Sequence, residues 1–455
     1  MGSRAAWTRV ERASRLGAVA AGQAVRTGTN HARAKLAGNA AALDRDAEFL
    51  DFIERFVRTV GNLKGASLKL GQLLALHGSG LSSPEARAEF DRLMAPVFDS
   101  VPPVSTAAMR SALRRELGPH AAEVEIDDEP IAAASIGQVY RGTYRGNDVA
   151  VKIQYPGISA RVTADLKNLA LLGRSSRRAF PGVDLPPILD EVSRQISQEL
   201  DYVREAENQL RAQSLAAGHP VWRIPTVFSQ VSGRRVLISE YLPGTPFEDL
   251  RTLDVAERDR IGEAVYRFYS GGVNRTGEFC ADPHPGNILL LEDGRLGFLD
   301  FGLYTRMPAD AFRAQKDLLI ATMEQRTDEI QRLLVAMGFL APDAGPRRAE
   351  RLLDLMTDVA GWYLTEDPVT VTDDLAQRAT ARLVAMQRGA FDIARYGTLT
   401  PEHVFARRTE VAMCSLLSRL EATGSWGAIV REWCYDLPPT TPMGAEIARW
   451  EAARA

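Results

Sequence analysis

The sequence predicts an α+β chain of two or three packed units that begins with a helical extension. Three patterns support this prediction: apolar residues recur at helical spacing over residues 49–77, a hairpin pattern covers residues 131–154, and the chain beyond Gly302 is almost wholly helical. The expected domains are the extension over residues 1–120, a strand-containing first lobe over residues 121–244 and a helical second lobe over residues 245–455.

Composition describes an ordinary globular protein, because 45% of the 455 residues are hydrophobic and 25% are charged. A net charge of −3 gives no electrostatic reason to expect a nucleic-acid partner. The three cysteines follow no pattern and favour a reducing, cytoplasmic interior over a disulfide framework. No apolar run reaches the roughly 18 residues of a membrane-spanning helix, and the N-terminus lacks the apolar core of a secretory signal.

The first 38 residues carry seven basic side chains against a single acid, Glu11. Apolar residues such as Trp7, Val10 and Leu16 recur there at helical spacing. Two interpretations remain open: a solvated helix, or a basic amphipathic segment that rests on an anionic membrane surface. The second would place the protein peripherally at the inner face of a membrane.

The helical pattern over residues 49–77 contains Lys69 and Gln72, and two glycines, Gly65 and Gly71, interrupt it. Each glycine inside a helix costs about 1 kcal/mol relative to alanine, so we expect close backbone approach there. Taken alone, Lys69 and Gln72 fit surface positions. A further helix is predicted over residues 105–117.

The hairpin over residues 131–154 ends in Val149, Ala150, Val151 and Lys152. Protein kinases present the lysine that pairs with the ATP phosphates on such a strand. The preceding loop keeps the spacing of the kinase phosphate-covering loop but not its composition. Ala132 and Ala134 occupy the first two glycine positions, and only Gly137 and Val139 match. Since alanine stiffens the loop and excludes positive φ, we expect nucleotide to be held differently. In isolation the pattern also fits an alanine-rich hairpin corner.

A long helix is predicted over residues 188–215, with Glu199, Asp201 and Glu205 among its acids. Asp201 and Glu205 are four residues apart and would share a face, while Glu199 would point elsewhere. One helix would then offer acids to two different lysines. Strand patterns at 221–228 and 235–239 lead to Glu240 and Leu242, followed by Pro-Gly, which is typical of the kinase hinge whose backbone contacts adenine.

The most informative stretch places Asp282 five residues before Asn287 and Asp300 thirteen residues after it. An apolar hairpin with an Asp-Gly turn joins Asn287 to Asp300. This is the layout of a kinase catalytic loop followed by Asp-Phe-Gly. In that layout the first Asp positions the nucleophile, while the Asn and the last Asp hold Mg²⁺ against the ATP phosphates. The helix predicted over residues 256–273 precedes the loop, as a kinase requires.

Beyond Gly302 the pattern is helical, and no segment is long enough for an activation loop. Helices therefore replace the surface on which protein kinases dock peptides. The predicted helical segments are 312–323, 330–337, 349–363, 374–386, 404–422 and 429–434.

Together these residues resemble the UbiB family, the aarF-domain-containing (ADCK-type) atypical kinases that include proteins supporting coenzyme Q synthesis. The resemblance covers residues 62–307. Its five motifs are Lys69-x-Gly71-Gln72; Ser135-Ile136-Gly137-Gln138-Val139; Val149-Ala150-Val151-Lys152-Ile153-Gln154-Tyr155-Pro156-Gly157; Glu199-Leu200-Asp201-Tyr202; and Ala281-Asp282-Pro283-His284-Pro285-Gly286-Asn287.

The resemblance implies a bilobal protein-kinase-like fold with a helical N-terminal extension packed across the active site and a mostly helical C-lobe. By position, Lys152 would contact the α- and β-phosphates of ATP and would pair with Glu205. Asn287 and Asp300 would hold Mg²⁺. Asp282 would be catalytic. Lys69 would reach the pocket toward Glu199 and Asp201 and act there as a catalytic and regulatory residue, together with Gln72. The implied nucleotide-binding residues are Ala132, Ala134, Ser135, Gly137, Val139, Lys152, Glu205, Glu240 and Leu242.

The activity that the resemblance favours is ATP hydrolysis linked to lipid or quinone metabolism, with ATP and ADP as ligands and a lipid or quinone precursor as partner. The alternatives are a non-catalytic nucleotide-sensing scaffold and a true protein kinase. Two features depart from the expected patterns. Cys280-Ala281 replaces the His-Arg of ordinary kinases, so other contacts must brace the catalytic loop, with His284 as a candidate. The C-terminal membrane helices of some bacterial relatives are missing, so any membrane contact would be peripheral. The sequence leaves the lipid, the pathway and the oligomeric state open.

Overall fold

The computed structural model describes residues 84–98, 104–134, 136–164, 199–340, 360–380 and 401–454, with isolated positions between these ranges. It divides into two compact units. One contains the described residues up to Val203 together with Ser229–Ile238, and the other contains Arg204–Phe228 and Ser239–Ala455. Lys69, Gln72 and Ser135 lie outside the described residues, as do almost all of the helix predicted at 49–77 and most of residues 165–198.

The described residues of the first unit include the helices α1 (Pro84–Phe98) and α2 (Thr106–Leu117). Ser105 caps α2, because its hydroxyl accepts a hydrogen bond from the backbone N–H of Ala108. A five-stranded sheet follows in the order β1-β3-β4-β6, and β2 pairs with β3. Its strands are β1 (Val124–Ile126), β2 (Ala132–Ala133), β3 (Gly137–Tyr144), β4 (Asn147–Gln154) and β6 (Val236–Glu240), of which β6 belongs to this unit through Ile238.

The β3–β4 hairpin turns at Arg145 and Gly146, whose φ angles of 48° and 81° are both positive. Such two-residue turns match the twist of the paired strands, which explains the register from Tyr144 opposite Asn147 to Gly137 opposite Gln154. Gly137 has no room for a side chain, because a Cβ there would lie 2.3 Å from the carbonyl oxygen of Ile153. The hairpin predicted from the sequence is therefore present.

The helix predicted over residues 188–215 is not continuous in its described part. The helix α3 begins at Tyr202 and ends at Leu215, and its residues from Arg204 onward belong to the second unit. Leu200 lies in a turn and Asp201 is outside the helix. The Asp201 carboxylate accepts a hydrogen bond from the backbone N–H of Val203 at 3.2 Å, so it caps α3 instead of lying one turn from Glu205 on the same helix. The predicted shared face of these two acids is wrong for this reason.

The second unit contains a four-stranded sheet in the order β5-β10-β9-β7. The apolar hairpin of β9 (Ile288–Leu291) and β10 (Leu296–Phe298) forms its centre, as predicted. The strand predicted over residues 221–228 is wrong in length, since β5 covers only Trp222–Arg223 and Pro225 interrupts the segment. The edge strand β7 (Gly244–Pro246) pairs with β9.

The rest of the second unit is mainly helical. Its short strands are β8 (Glu278–Cys280), β11 (Tyr304–Arg306), β12 (Val369–Thr370) and β13 (Thr423–Gly424). Its further helices are α4 (Val255–Gly271), α5 (Ala309–Met323), α6 (Thr327–Ala336), α7 (Pro401–Leu420), α8 (Trp426–Tyr435) and α9 (Pro442–Ala452). The sequence patterns did not predict α9.

The core of this unit is apolar and aromatic. Tyr266 of α4 and Trp426 of α8 lie in it with ring centroids 5.0 Å apart, and Leu417 of α7 is buried in the same cluster. The catalytic-loop segment follows α4 through a π-helical turn at Gly272–Thr276 and strand β8. Within the described residues, no helix is both long enough and apolar enough to cross a membrane. The α+β class predicted from the sequence is confirmed.

Candidate active site

In the first unit, the sheet register aligns the alanine-rich loop with Lys152. Val139 of β3 is paired with Ala132 of β2 on one side and with Lys152 of β4 on the other. Residues directly opposite one another in antiparallel strands place their side chains on the same face, so these three residues share one face of the sheet. The turn between β2 and β3 is closed by a 2.8 Å hydrogen bond from the N–H of Ala134 to the carbonyl of Gly137.

Lys152 is half-buried, and its Nζ lies 5.2 Å from the centre of the Tyr202 ring. This is a favourable distance for a cation–π contact. The side-chain amide of Gln154 donates to the carbonyl of Leu200 at 2.9 Å, which ties the segment carrying Glu199 and Asp201 to the sheet. The predicted approach of Lys69 to these acids involves a residue outside the described part and stays a prediction.

The second unit contains the hinge segment. The N–H of Glu240 donates to the carbonyl of Thr226 at 2.7 Å, and the Glu240 carboxylate accepts from the Arg223 guanidinium. The side chain and the N–H of Glu240 are therefore engaged by the protein. Leu242 is buried. The assignment of both residues to nucleotide binding stays a prediction.

The catalytic loop is held in shape by its own polar groups. The N–H of Ala281 donates to the carbonyl of Leu303 at 2.7 Å, which ties the loop to the segment after Asp300. The imidazole Nδ1 of His284 accepts from the N–H of Gly286 at 3.1 Å, at the start of the short turn Pro285–Asn287. His284 thus stabilises the loop, as the sequence suggested, through the turn that leads to Asn287.

Asn287 and Asp300 lie at the same end of the β9–β10 hairpin. The carbonyl of Asn287 accepts a 3.0 Å hydrogen bond from the N–H of Leu299, the residue directly before Asp300. Asp300 in turn accepts a 2.9 Å hydrogen bond from the N–H of Gly302 through its Oδ1 atom. Thirteen residues of sequence are therefore folded so that the two predicted metal ligands become neighbours.

Glu205 belongs to the same neighbourhood. It is buried, with 3% of its surface exposed, and its Oε2 would lie 3.7 Å from a Cβ placed on Gly302. The Asn208 side chain, one turn along α3, donates to the carbonyl of Phe301 at 3.0 Å. Helix α3 is thus fixed against the Asp-Phe-Gly segment. The predicted pairing of Glu205 with Lys152 stays a prediction.

The local field of this site is negative. Burial raises the pKa of the Cys280 thiol well above its ordinary value, and the nearby carboxylates of Asp300 and Asp282 raise it further. Burial likewise raises the pKa of Tyr269, with Cys280, Asp282 and Asp300 adding to the rise. The carboxylates of Asp282 and Asp300 therefore both raise the pKa of Cys280 and of Tyr269.

The donor atoms fit a hard divalent cation. Asn287 offers an amide oxygen and Asp300 a carboxylate, and Mg²⁺ prefers such oxygen ligands with phosphate and water completing its shell. No group of three or more His, Cys, Asp or Glu side chains suited to a metal occurs among the described residues.

Two polar contacts of the site were not predicted. The Arg408 Nη2 of α7 lies 2.6 Å from the Asp282 Oδ1, although the two residues are 126 positions apart. The Arg211 Nε of α3 donates at 2.6 Å to Glu278 of β8, whose carboxylate also accepts from the Tyr304 hydroxyl. Neither arginine belongs to a recognisable motif, so the sequence carries no signal for its role.

Residues 96–334 match the model of a protein family described as the ABC1 atypical kinase-like domain. The chain is 33% identical over 256 residues to the Arabidopsis thaliana protein ACTIVITY OF BC1 COMPLEX KINASE 8, chloroplastic, covering 54% of this chain and 34% of that protein. It is 30% identical over 303 residues to the Danio rerio atypical kinase COQ8B, mitochondrial, covering 65% of this chain and 48% of that protein.

A solved structure is also similar, that of Rv3197 from Mycobacterium tuberculosis in complex with erythromycin. The TM-score is 0.60 at 27% sequence identity, and the likeness covers 86% of this chain and 97% of that one. The two curated relatives are longer, since the matched part of this chain spans only a third to a half of their lengths. The kinase-like fold and the resemblance to the UbiB family expected from the sequence are confirmed. Because the family match covers more than half of the 455 residues, the chain belongs to the ABC1 atypical kinase-like family.

Proposed function

We propose that this protein binds Mg-ATP and hydrolyses it, in support of quinone or isoprenoid lipid metabolism at a membrane surface. The observation that carries the proposal is that Asn287 and Asp300 lie at the same end of the β9–β10 hairpin, where the Asn287 carbonyl accepts a hydrogen bond from the N–H of Leu299. Membership of the ABC1 atypical kinase-like family supports it. A carboxylate beside an amide and a second carboxylate is the arrangement that phosphoryl transfer from ATP needs.

In the proposed reaction Asn287 and Asp300 would hold the cation, and Lys152 would contact the phosphates. The bound Mg²⁺ would neutralise charge on the phosphate oxygens. The Asp282 carboxylate orients a water molecule toward the γ-phosphorus and accepts its proton. The bond from the γ-phosphorus to the bridging oxygen breaks, and ADP and inorganic phosphate leave.

The segment after Gly302 favours water over a protein hydroxyl as the acceptor. It passes through β11 and enters α5 at Ala309, so only six residues separate Gly302 from the first residue of that helix. Protein kinases place an activation loop at this position and order it by phosphorylation. So short a connection leaves no such loop, which makes a protein substrate the weaker candidate.

The lipid part of the proposal is supported by two different facts. One curated relative is named atypical kinase COQ8B, and the resemblance identified in the sequence connects the family to coenzyme Q synthesis. The basic N-terminal segment offers electrostatic attraction to anionic lipids. The proposal therefore places ATP turnover under the control of a membrane surface or of a prenylated quinone precursor.

The test is ATP turnover by the purified protein, with and without anionic liposomes or a prenylphenol. We expect Mg-dependent hydrolysis that liposomes stimulate and that Asp300→Asn abolishes. Asp293→Asn is the matched control, because Asp293 lies in the turn of the same hairpin and pairs with Arg295. A scaffold that only senses nucleotide would be stabilised thermally by Mg-ATP without turnover. That result would refute the enzymatic part of the proposal.

The alanine-rich loop and the extension are proposed to set selectivity. Ala134→Gly would restore a flexible position in the loop. Lys69→Ala would remove the side chain with which the extension is proposed to obstruct a protein substrate. We expect either change to alter the preference between ATP and ADP or to unmask autophosphorylation. Unchanged nucleotide preference together with no autophosphorylation in both variants would count against the regulatory role assigned to Lys69, Gln72, Glu199 and Asp201.

A further inference from the structure

Helix α7 contributes a cation to the catalytic loop from beyond residue 334, where the family match ends. The Nη2 of Arg408 lies 2.6 Å from the Oδ1 of Asp282. The Arg408 side chain is 17% exposed and the Asp282 side chain 40% exposed. The guanidinium is therefore largely enclosed by protein, while the carboxylate keeps an open edge toward solvent.

The helix that carries Arg408 is anchored to the loop by apolar contacts. Phe405 and Ala406 of α7 are buried in one cluster with Ala281, directly before Asp282, and with Leu303, which follows Gly302. Arg408 lies three residues after Phe405, so both side chains emerge from neighbouring positions on the helix surface. This apolar cluster packs α7 against the catalytic loop. The Arg408 guanidinium therefore extends to Asp282 from a helix that is held in place.

An ion pair of this kind is a poor way to stabilise a fold. Enclosing a guanidinium removes it from water, and the attraction to its partner often does no more than offset that cost. The chain offers a contrast on the same helix, where Arg419 pairs with Glu248 and both side chains remain about half exposed. The enclosure of the Arg408 guanidinium therefore calls for an explanation beyond stability.

A positive charge beside Asp282 has an electrostatic purpose. The carboxylates of Asp282 and Asp300 both raise the pKa of the buried Cys280. The proposed function would place a triphosphate beside these two negative charges. His284, the nearest ionisable side chain of the loop itself, uses its Nδ1 to cap the following turn. Arg408 of α7 forms an ion pair with Asp282 at 2.6 Å.

We propose that Arg408 is a positioning residue of the phosphoryl-transfer site: it holds the Asp282 carboxylate in the orientation that receives the proton of the attacking water and offsets its charge against the incoming phosphates. This inference rests on the proposed function. It extends the functional part of the chain to α7. The ABC1 match alone does not include that helix.

The test compares Arg408→Gln, Arg408→Lys and the matched control Arg419→Gln in the full chain, with thermal unfolding as a check on folding. We expect Arg408→Gln to lower kcat at least about tenfold, because a positioned acid–base group contributes on the order of 10²-fold or more. The Kd for Mg-ADP, measured by calorimetry, should stay within about twofold. The lysine variant should recover part of the rate, since it keeps the charge but loses the planar fork. Arg419→Gln should match the wild type.

A double-mutant cycle with Asp282→Asn separates positioning from general damage. If Arg408 acts through Asp282, Arg408→Gln has no further effect on kcat once Asp282 is replaced. Equal losses in Arg408→Gln and Arg419→Gln, or an undiminished effect in the Asp282→Asn background, would overturn the inference.

Absence of turnover in every variant, the wild type included, would refute the proposed function alone. Hydrogen exchange over residues 280–287 then decides the inference, because it needs no turnover. Faster exchange in Arg408→Gln than in Arg419→Gln would show that Arg408 holds the loop. Equal exchange in the two variants would overturn that role.

Discussion

His219 makes the stability of the second unit depend on pH. Its Nδ1 accepts hydrogen bonds from the N–H groups of Val221 and Trp222, at 3.2 and 3.3 Å, and its ring stacks on Trp222 at a centroid distance of 3.5 Å. Burial, with repulsion by nearby arginines, lowers the pKa of His219 from 6.5 to about 3. Protonation would place a proton on the accepting nitrogen and break both hydrogen bonds.

The sign and the size of the effect follow from linkage. Since the native pKa lies below the unfolded pKa, the neutral histidine contributes stability that is fully present above about pH 6.5 and is lost as the pH falls toward about 3. Between about pH 7 and about pH 5 the unfolded state takes up a proton that the native state refuses. At 1.36 kcal/mol per pKa unit, this lowers the free energy of unfolding by about 2 kcal/mol.

Urea unfolding followed by tryptophan fluorescence measures this loss, because five of the six tryptophans, all except Trp7, belong to the second unit. His219→Asn keeps an acceptor in the place of Nδ1 but does not titrate. It should cut the loss between about pH 7 and about pH 5 by about 2 kcal/mol relative to the wild type. His120→Asn, at an exposed histidine of the first unit, controls for the substitution itself. An equal loss in wild type and His219→Asn would refute the reasoning.

Two further predictions concern the same unit. Arg211→Gln removes the charged hydrogen bonds from α3 to Glu278 and should lower the free energy of unfolding only modestly, because the pair is partly exposed. Arg306→Gln, at an exposed arginine that reaches the same carboxylate at 3.4 Å, should lower it less. Equal effects of the two changes in urea unfolding would contradict this prediction. Burial raises the pKa of Glu410 above its ordinary value, so its contribution to stability should fall as the pH rises through the native pKa. Glu410→Gln should flatten that decline, and an unchanged pH profile of urea unfolding would count against a raised pKa of Glu410.

The sequence was most informative where chemistry and local geometry coincide. Asp293 and Gly294 predicted the turn that brings Asn287 next to Asp300, because few residues adopt the conformation that such a turn demands. The β3–β4 hairpin was predicted equally well, since its alternating apolar residues and its Arg-Gly turn agree with one another. These elements depend on neighbours in sequence, which a single chain reveals directly.

Predictions from the sequence were wrong or missing where contacts between residues far apart in the chain determine the structure. Asp201 was assigned to the interior of a helix because its neighbours favour helix. Its carboxylate instead caps α3, which begins at Tyr202. Arg408 was missed because its partner lies 126 residues away and an arginine on a helix ordinarily faces water. Pairing at such separation is set by how α7 packs under the catalytic loop, and no local pattern encodes it.

The central claim is that Asn287 and Asp300 hold the metal of a bound nucleotide. Calorimetric titration of the full chain with Mg-ADP, in wild type, Asp300→Asn and the hairpin control Asp293→Asn, tests it most directly. We predict saturable binding that requires Mg²⁺, is retained in Asp293→Asn and is weakened at least about tenfold in Asp300→Asn, a loss of about 1.4 kcal/mol in binding free energy. Equal affinity of all three proteins for Mg-ADP, or ADP binding that does not depend on Mg²⁺, would contradict the claim.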